Sequence, residues 1–338
     1  MMTGSSCADG PSRAPAEPRS QAPRQDITAL AEELRRRGAE AGLAAVGIAP
    51  AERMETTRRV IEERKAAGLS GGMQFTYRNP ARSTDPGRIL AGAAALVVGA
   101  WPYGEGFRPP PAQGRGTRPF VSAKVAADAH DKVATGPQGA GLHERGGAGL
   151  HEGGPAGLPE TGPYEKGPTG PDSGLATCRP QGRVARYARH DHYQDLRNAL
   201  GQVAEVLMAA GWRATVVADD NALVDRAAAE RAGLGWFGKN SNILLPGAGS
   251  WFLLGSVVTD APLPTAAPVG DGCGSCRRCL SACPTGALVG PGVLDARRCL
   301  AWLLQATGVF PFEFRVALEG RIYGCDDCQD VCPANRLA

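Results

Sequence analysis

The chain has 338 residues, 43% of them hydrophobic, and a formal net charge of +3. That length allows two domains and a sizeable core, while so small a charge points only weakly toward an anionic partner. No run of 18 apolar residues occurs, which excludes a membrane-spanning helix of ordinary length, and the first 25 residues lack the apolar stretch of a secretory signal.

In chain order, residues 1–25 read as a disordered tail. Asp26 is placed to cap a helix from Ile27 to about Glu40, with Ile27, Leu30 and Leu34 on one face. A short buried strand is expected at 43–48, a charged helix at 51–67 and an apolar strand at 95–100. From 104 to 181 the composition turns to Gly and Pro, and an eight-residue unit recurs as GAGLHERG, GAGLHEGG and PAGLPETG over 139–162. Such a segment buries too little apolar surface to offset its chain entropy, so it reads as a disordered insertion. His143 and His151 within it are weak candidates for metal binding. Order is expected to resume with a helix at 191–210, a strand at 213–218, a helix at 222–232 and a strand at 251–258. Alternating helices and strands imply a three-layer α/β body over 26–260, interrupted by the insertion. A Pro-rich linker at 261–268 leads to the last domain, 261–338.

That last domain carries eight of the ten cysteines. Cys273, Cys276, Cys279 and Cys283 form C-x2-C-x2-C-x3-C followed by Pro284; Cys299 stands alone; Cys325, Cys328 and Cys332 form C-x2-C-x3-C followed by Pro333. The first run has the spacing of a bacterial ferredoxin, in which the fourth Cys serves the other cluster. Zinc sites more often use two C-x2-C pairs, so two [4Fe-4S] clusters are expected. Ferredoxin-like topology groups Cys273, Cys276, Cys279 and Cys332 as one ligand set, and Cys283, Cys299, Cys325 and Cys328 as the other. Cys299 is expected at the start of a helix over 295–305. Cys7 and Cys178 have no ligand partner in spacing and read as inert thiols.

Two body segments look functional. VADDNALVDRAAAER (217–231) puts acidic residues just after a strand, where α/β sheets often build sites. GLGWFGKNSN (233–242) and GAGS (247–250) bring glycines that permit close backbone approach to a flat ligand. Together with GRVARYARHDHYQDLRNAL (182–200), GSWFLLGSVVTDAPLP (249–264) and the cysteine runs, these stretches resemble the epoxyqueuosine reductase family of bacterial tRNA-modifying enzymes.

The resemblance implies a base-off cob(II)alamin between the body and the cluster domain, fed with electrons by two [4Fe-4S] clusters. It implies reduction of epoxyqueuosine to queuosine at the tRNA wobble position. It assigns Asp219, seven residues before Arg226, as proton donor. A carboxyl beside an apolar corrin has its pKa raised toward a useful range, which agrees with that role; helix capping is the alternative, one that Asp220 or Asn221 could equally fill. Carried over as cobalamin contacts are Ile243, Leu254, Asp326 and the backbone of Cys325, with Arg82 and Lys239 added as further candidates. His190 and His192 read as helix-start residues. The family's Asp-Tyr-His is Asp191-His192-Tyr193 here. Implied partners are tRNA at its anticodon loop and an electron donor such as flavodoxin or ferredoxin, for a cytoplasmic monomer. Alternatives are a related corrinoid reductase acting on a small molecule, or an electron-transfer iron–sulfur protein.

Overall fold

The computed structural model describes residues 26–104 and 182–336. The expected tail at 1–25 and nearly all of the insertion at 104–181, with its repeat and both its histidines, lie outside the described residues.

Helix α1, Ile27–Glu40, starts where Asp26 accepts hydrogen bonds from the backbone N–H of Thr28 and Ala29. It ends in a turn: Leu43 N–H reaches Gly38 O, with Gly42 at φ +98°. That turn occupies the first residues of the strand expected at 43–48, so β1 runs two residues later, Ala45–Pro50. Helix α2 spans Glu55–Ala66; its start is set back to Glu55 because Met54 N–H is tied to Thr84 O. Two short helices follow, α3 (Phe75–Arg78) and α4 (Pro80–Ser83), then strand β2, Ala95–Pro102. After the two-residue β3 (Arg183–Val184), helix α5 covers His192–Ala209 with Asp191 as its N-cap. Strand β4 is Ala214–Ala218 and helix α6 is Asp225–Arg231. The hairpin of β5 (Trp236–Phe237) and β6 (Ile243–Leu244) precedes the long β7, Phe252–Thr259.

One four-stranded sheet, in the order β1-β2-β7-β4, organises the body, and each neighbouring pair in it is antiparallel. Its strands are apolar on both faces because both are covered. On one face Val97 and Val257 pack with Leu30 and Leu34 of α1 and with Leu196, Leu200, Val203 and Leu207 of α5. On the other, Leu96, Val98 and Val258 pack with Ala227, Ala228 and Ala229 of α6. The result is the expected three layers, helix on sheet on helix. Gly47 is required where β1 meets α6: a Cβ there would lie 2.2 Å from Ala232 O. Gly47→Ala is expected to destabilise the fold by about 1–3 kcal/mol, the usual cost of overpacking, read as a lowered urea midpoint.

The cysteine-rich part consists of short elements: α7 (Arg278–Ala282), the β8–β9 hairpin (Leu288–Gly290, Val293–Leu294), α8 (Leu300–Leu303), α9 (Arg315–Leu318), β10 (Arg321–Tyr323) and α10 (Asp327–Asp330). The continuous helix expected over 295–305 is broken. A 3₁₀ turn at Ala296–Arg298 stops at Cys299, whose backbone is extended (φ −76°, ψ 118°), and α8 begins after it. Cys299 is therefore a helix cap instead of a residue within the first turn.

Candidate cluster centre and active-site seam

The eight thiols fall into two groups. A cavity is lined by Cys273, Cys276, Cys279 and Cys332, with Lys239, Asn240, Leu244 and Pro333 completing its wall. Cys279 feels Cys332, Cys273 and Cys276 as neighbours. In the other group, Cys328 feels Cys325, Cys299 and Cys283. The packing of α7 against α10 brings these groups side by side, and Cys279 of one also acts on Cys328 of the other.

The donor chemistry fits iron–sulfur clusters. All eight cysteines are free thiols. Burial first, then the neighbouring thiols, pushes Cys328 up; burial pushes Cys325 up to about 11. Cys279 and Cys299 are pushed up as well, and such crowded thiols would be compensated by a bound cation. The second set also has a donor directed at sulfur: Ala287 N–H to Cys283 Sγ at 3.2 Å. Hydrogen bonds of this kind tune cluster potential.

The glycine-rich turn of the body is part of this centre. Lys239 Nζ donates to Gly274 O, and Asn240 Nδ2 reaches Cys328 O at 3.4 Å. Lys239, a further cobalamin candidate in the sequence, thus lies at the first thiol group. A second joint lies at GAGS. Asn335 Oδ1 accepts from Ser250 N–H at 2.6 Å, and Ser250 Oγ bonds to Gln329 Oε1 at 2.9 Å. Gly249 sits at φ +68°, and a Cβ there would lie 2.0 Å from Asn335 Oδ1. Gly249→Ala should cost about 1–2 kcal/mol from the left-handed backbone alone and loosen this joint. The check is faster proteolysis between body and cluster domain, with the body's own unfolding midpoint little changed.

Between the two parts runs a polar seam. Asp219 lies on the loop after β4, at φ +56°, a left-handed conformation that few side chains tolerate. It caps no helix. Asp220 Oδ1 accepts from Ala222 N–H at 2.8 Å, and α6 begins at Val224 without a side-chain cap. The loop is clamped from α4: Ser83 Oγ donates to Asn221 O at 2.6 Å, and Val224 N–H donates to Ser83 O at 3.1 Å. Arg82 is thereby held beside the loop, exposed and without a side-chain hydrogen bond or ion pair among the described residues. Ser83→Ala should leave Asn221 O short of a donor and cost about 1–3 kcal/mol, with a larger effect on loop protection in hydrogen exchange than on global unfolding.

Burial pushes the Asp219 carboxyl up, Arg197 draws it down, and Asp220 pushes it up again, leaving it above the usual range. Tyr193, on the first turn of α5, feels both Asp219 and Asp225. Tyr103, just after β2, is half-buried and feels Asp326, Tyr193 and Arg226, with Gln329 as hydrogen-bond partner. Arg226 acts in turn on Asp225 and on Cys299. The seam therefore links Asp219 to the cluster domain through two tyrosines and one arginine. Asp326 is engaged, accepting from Arg186 N–H at 2.9 Å, and it lines a pocket with Cys325, Arg186 and Arg321. Ile243 and Leu254 are not brought into that pocket. Ile243 is 2% exposed in the core, and Leu254 lies in β7 opposite Ala100. Contact from Ile243 would have to come through its backbone.

Asp225 is the residue that sequence reasoning passed over. Its Oδ1 is sealed from solvent with no hydrogen-bond partner among the described residues. Its carboxyl is pushed up to about 8, by burial first and then by Asp219. The signal was present: Ala228, Ala229 and Ala232 follow Asp225 at helical spacing, and all three are buried. Asp225 begins that apolar stripe.

Residues 272–335 match the family model of the 4Fe-4S double cluster binding domain. The epoxyqueuosine reductase of Aliivibrio fischeri is 47% identical over 164 residues, which is 47% of this chain and 44% of that protein. The chain thus spans less than half the length of this curated relative. A crystal structure of selenomethionine-labelled epoxyqueuosine reductase superposes with TM-score 0.67 at 29% identity, covering 92% of this chain and 67% of the other. A crystal structure of epoxyqueuosine reductase with an epoxyqueuosine-modified tRNA-Tyr stem loop gives TM-score 0.64 at 27% identity, covering 92% and 66%. In motifs, in fold and in its paired thiol groups the chain is thus similar to epoxyqueuosine reductases over the matched regions.

Proposed function

We propose that this chain reduces epoxyqueuosine to queuosine in tRNA, drawing electrons through two [4Fe-4S] clusters to a cobalamin held along the seam. The observation that carries the reading is the strained Asp219 loop facing a seam that connects, through Tyr193, Tyr103 and Arg226, to Cys299 and Asp326. An electron carrier needs no acid poised in this way. The solved relative bound to a modified tRNA stem loop supports the substrate class.

The cluster ligands in this proposal are Cys273, Cys276, Cys279 and Cys332 for one, and Cys283, Cys299, Cys325 and Cys328 for the other. Cobalamin, if held there, would supply a low-valent metal centre for reduction of the strained ring. The residues suit such a ligand: Arg82, exposed beside the loop, would meet polar groups on its rim, and Cys325 and Asp326 stand on the cluster side. Asp219 donates the proton that the epoxide oxygen needs when its first carbon–oxygen bond breaks. The electron donor is a one-electron protein of the flavodoxin or ferredoxin kind, and the site of action is the cytoplasm; no helix among the described residues is long and apolar enough to cross a membrane.

The test is anaerobic purification, metal analysis and assay on an epoxyqueuosine stem loop with excess chemical reductant. The expected result is about eight irons per chain, cobalamin absorption after loading, and queuosine as product. Iron without cobalamin binding or queuosine formation would favour the electron-carrier reading.

A further inference from the structure

The start of helix α5 carries a side-chain cluster that the proposed reaction does not use. His192 is the first residue of α5 and Asp195 follows three residues later, so both lie on one face of the helix, one turn apart. His190 precedes the helix and is folded back onto it, since His192 N–H donates to His190 O at 2.9 Å. The His190 and His192 rings meet edge-on, with centroids 5.0 Å apart. His190 Nε2 lies 3.0 Å from Asp195 Oδ2. One ligand atom from each of the three residues lies within 4.8 Å of the other two.

We propose that His190, His192 and Asp195 bind one divalent cation of the zinc class, at a site separate from both thiol groups. The proposal stands independently of the epoxide reading. In a tetrahedral zinc site with bonds of about 2.0–2.2 Å, neighbouring ligand atoms are about 3.3–3.6 Å apart. The His190–Asp195 pair already stands near that spacing, at 3.0 Å, and the cation takes the place of the proton between them. Closing the rest of the cluster from 4.8 Å is within reach of side-chain rotation. The Tyr103 ring packs against His192 with centroids 5.8 Å apart, which holds that imidazole in place. The His190 side chain, 63% exposed, is the arm with room to move.

The donor set selects the cation. Two imidazoles and one carboxylate suit zinc and its first-row neighbours, whereas magnesium and calcium favour oxygen alone. Three protein ligands leave a fourth position for water or an anionic oxygen, the pattern of an open zinc site. The positive end of the α5 dipole opposes a cation here, and the carboxylates of Asp191 and Asp195 offset it. Asp191 is not counted among the ligands, because its Oδ1 is engaged as the helix cap, accepting from Gln194 N–H at 3.0 Å.

The test titrates zinc by calorimetry into the full chain, purified anaerobically with its iron in place, and measures iron before and after. One zinc per chain is expected, with iron retained. The zinc-edge X-ray absorption spectrum should contain only nitrogen and oxygen neighbours, at about 2.0–2.2 Å. His190→Ala changes an exposed side chain and Asp195→Asn keeps its shape, so both variants should fold. Each should weaken zinc binding by about tenfold or more, while the thermal midpoint without zinc stays close to that of wild type. Magnesium in large excess should not displace the zinc. Sulfur neighbours at about 2.3 Å, or release of iron as zinc enters, would put the cation at the cysteines and overturn the proposal. Unchanged zinc affinity in both variants would put it elsewhere in the chain, with the same consequence, and so would the absence of measurable binding.

Discussion

Asp219→Asn is expected to lower queuosine formation by about a hundredfold or more, the scale of one general acid, while iron content and cobalamin binding stay unchanged. Asparagine keeps the shape and tolerates the left-handed backbone of this position, so the loop should hold. What it lacks is a carboxyl proton. Because surrounding protein raises the Asp219 carboxyl above its usual range, the acid form persists further toward neutrality than that of a free aspartate. The rate should decline as pH rises through the Asp219 pKa, since the donor is the protonated form, and Asp219→Asn should lose that dependence. Asp220→Asn is the control. Asp220 tightens the turn through Ala222 N–H, and an asparagine oxygen accepts the same bond, so a loss of about 1 kcal/mol at most is expected. Turnover close to wild type in Asp219→Asn would move the acid elsewhere. Loss of cobalamin in that variant would make Asp219 a binding residue first.

Local signals were legible and tertiary ones were not. Asp26 announced α1 because capping is decided within four residues, and the amphipathic pattern over 191–210 announced α5, which Asp191 proves to cap. The cysteine spacings pointed to clusters because each loop wraps its metal locally. The antiparallel order of the sheet was hidden, since apolar strands covered on both faces read alike whichever way they run. The break at Cys299 was hidden because the residues on either side have good helical composition; an extended cap interrupts them at the one thiol that must reach the second group. Lys239 was drawn to the cluster centre by its contact with Gly274, a partner 35 residues away that no local pattern reveals. Asp225 was overlooked beside Asp219 because an acidic residue at a helix start ordinarily reads as solvated. Its burial follows from the face of α6 that meets β1 and β7.

The remaining large effect concerns which thiols share a cluster, and sequence neighbours should part company. Cys276→Ser is expected to cut iron from about eight to about four per chain, because a serine hydroxyl is a poor replacement for thiolate in a four-cysteine site. Cys332→Ser should behave like Cys276→Ser, although Cys332 follows Cys328 by only four residues, since it lines the cavity with Cys273, Cys276 and Cys279. Cys283→Ser should instead behave like Cys299→Ser and Cys328→Ser, although it closes the first motif, since it bears on Cys328 and Cys299. Electron paramagnetic resonance of the reduced variants would sort them into two classes, each retaining the signal the other lacks. Turnover should vanish in both classes, for different reasons. The Cys299 class loses the cluster on which Arg226 bears, so electrons stop short of the seam. The Cys276 class loses the cluster that abuts it through Cys279 and Cys328, so electrons cannot enter. A strong reductant able to reduce the Cys299-side cluster directly should therefore restore some turnover to the Cys276 class and none to the Cys299 class. Equal rescue of both, or a Cys283→Ser spectrum matching that of Cys276→Ser, would overturn the crossed partition of ligands.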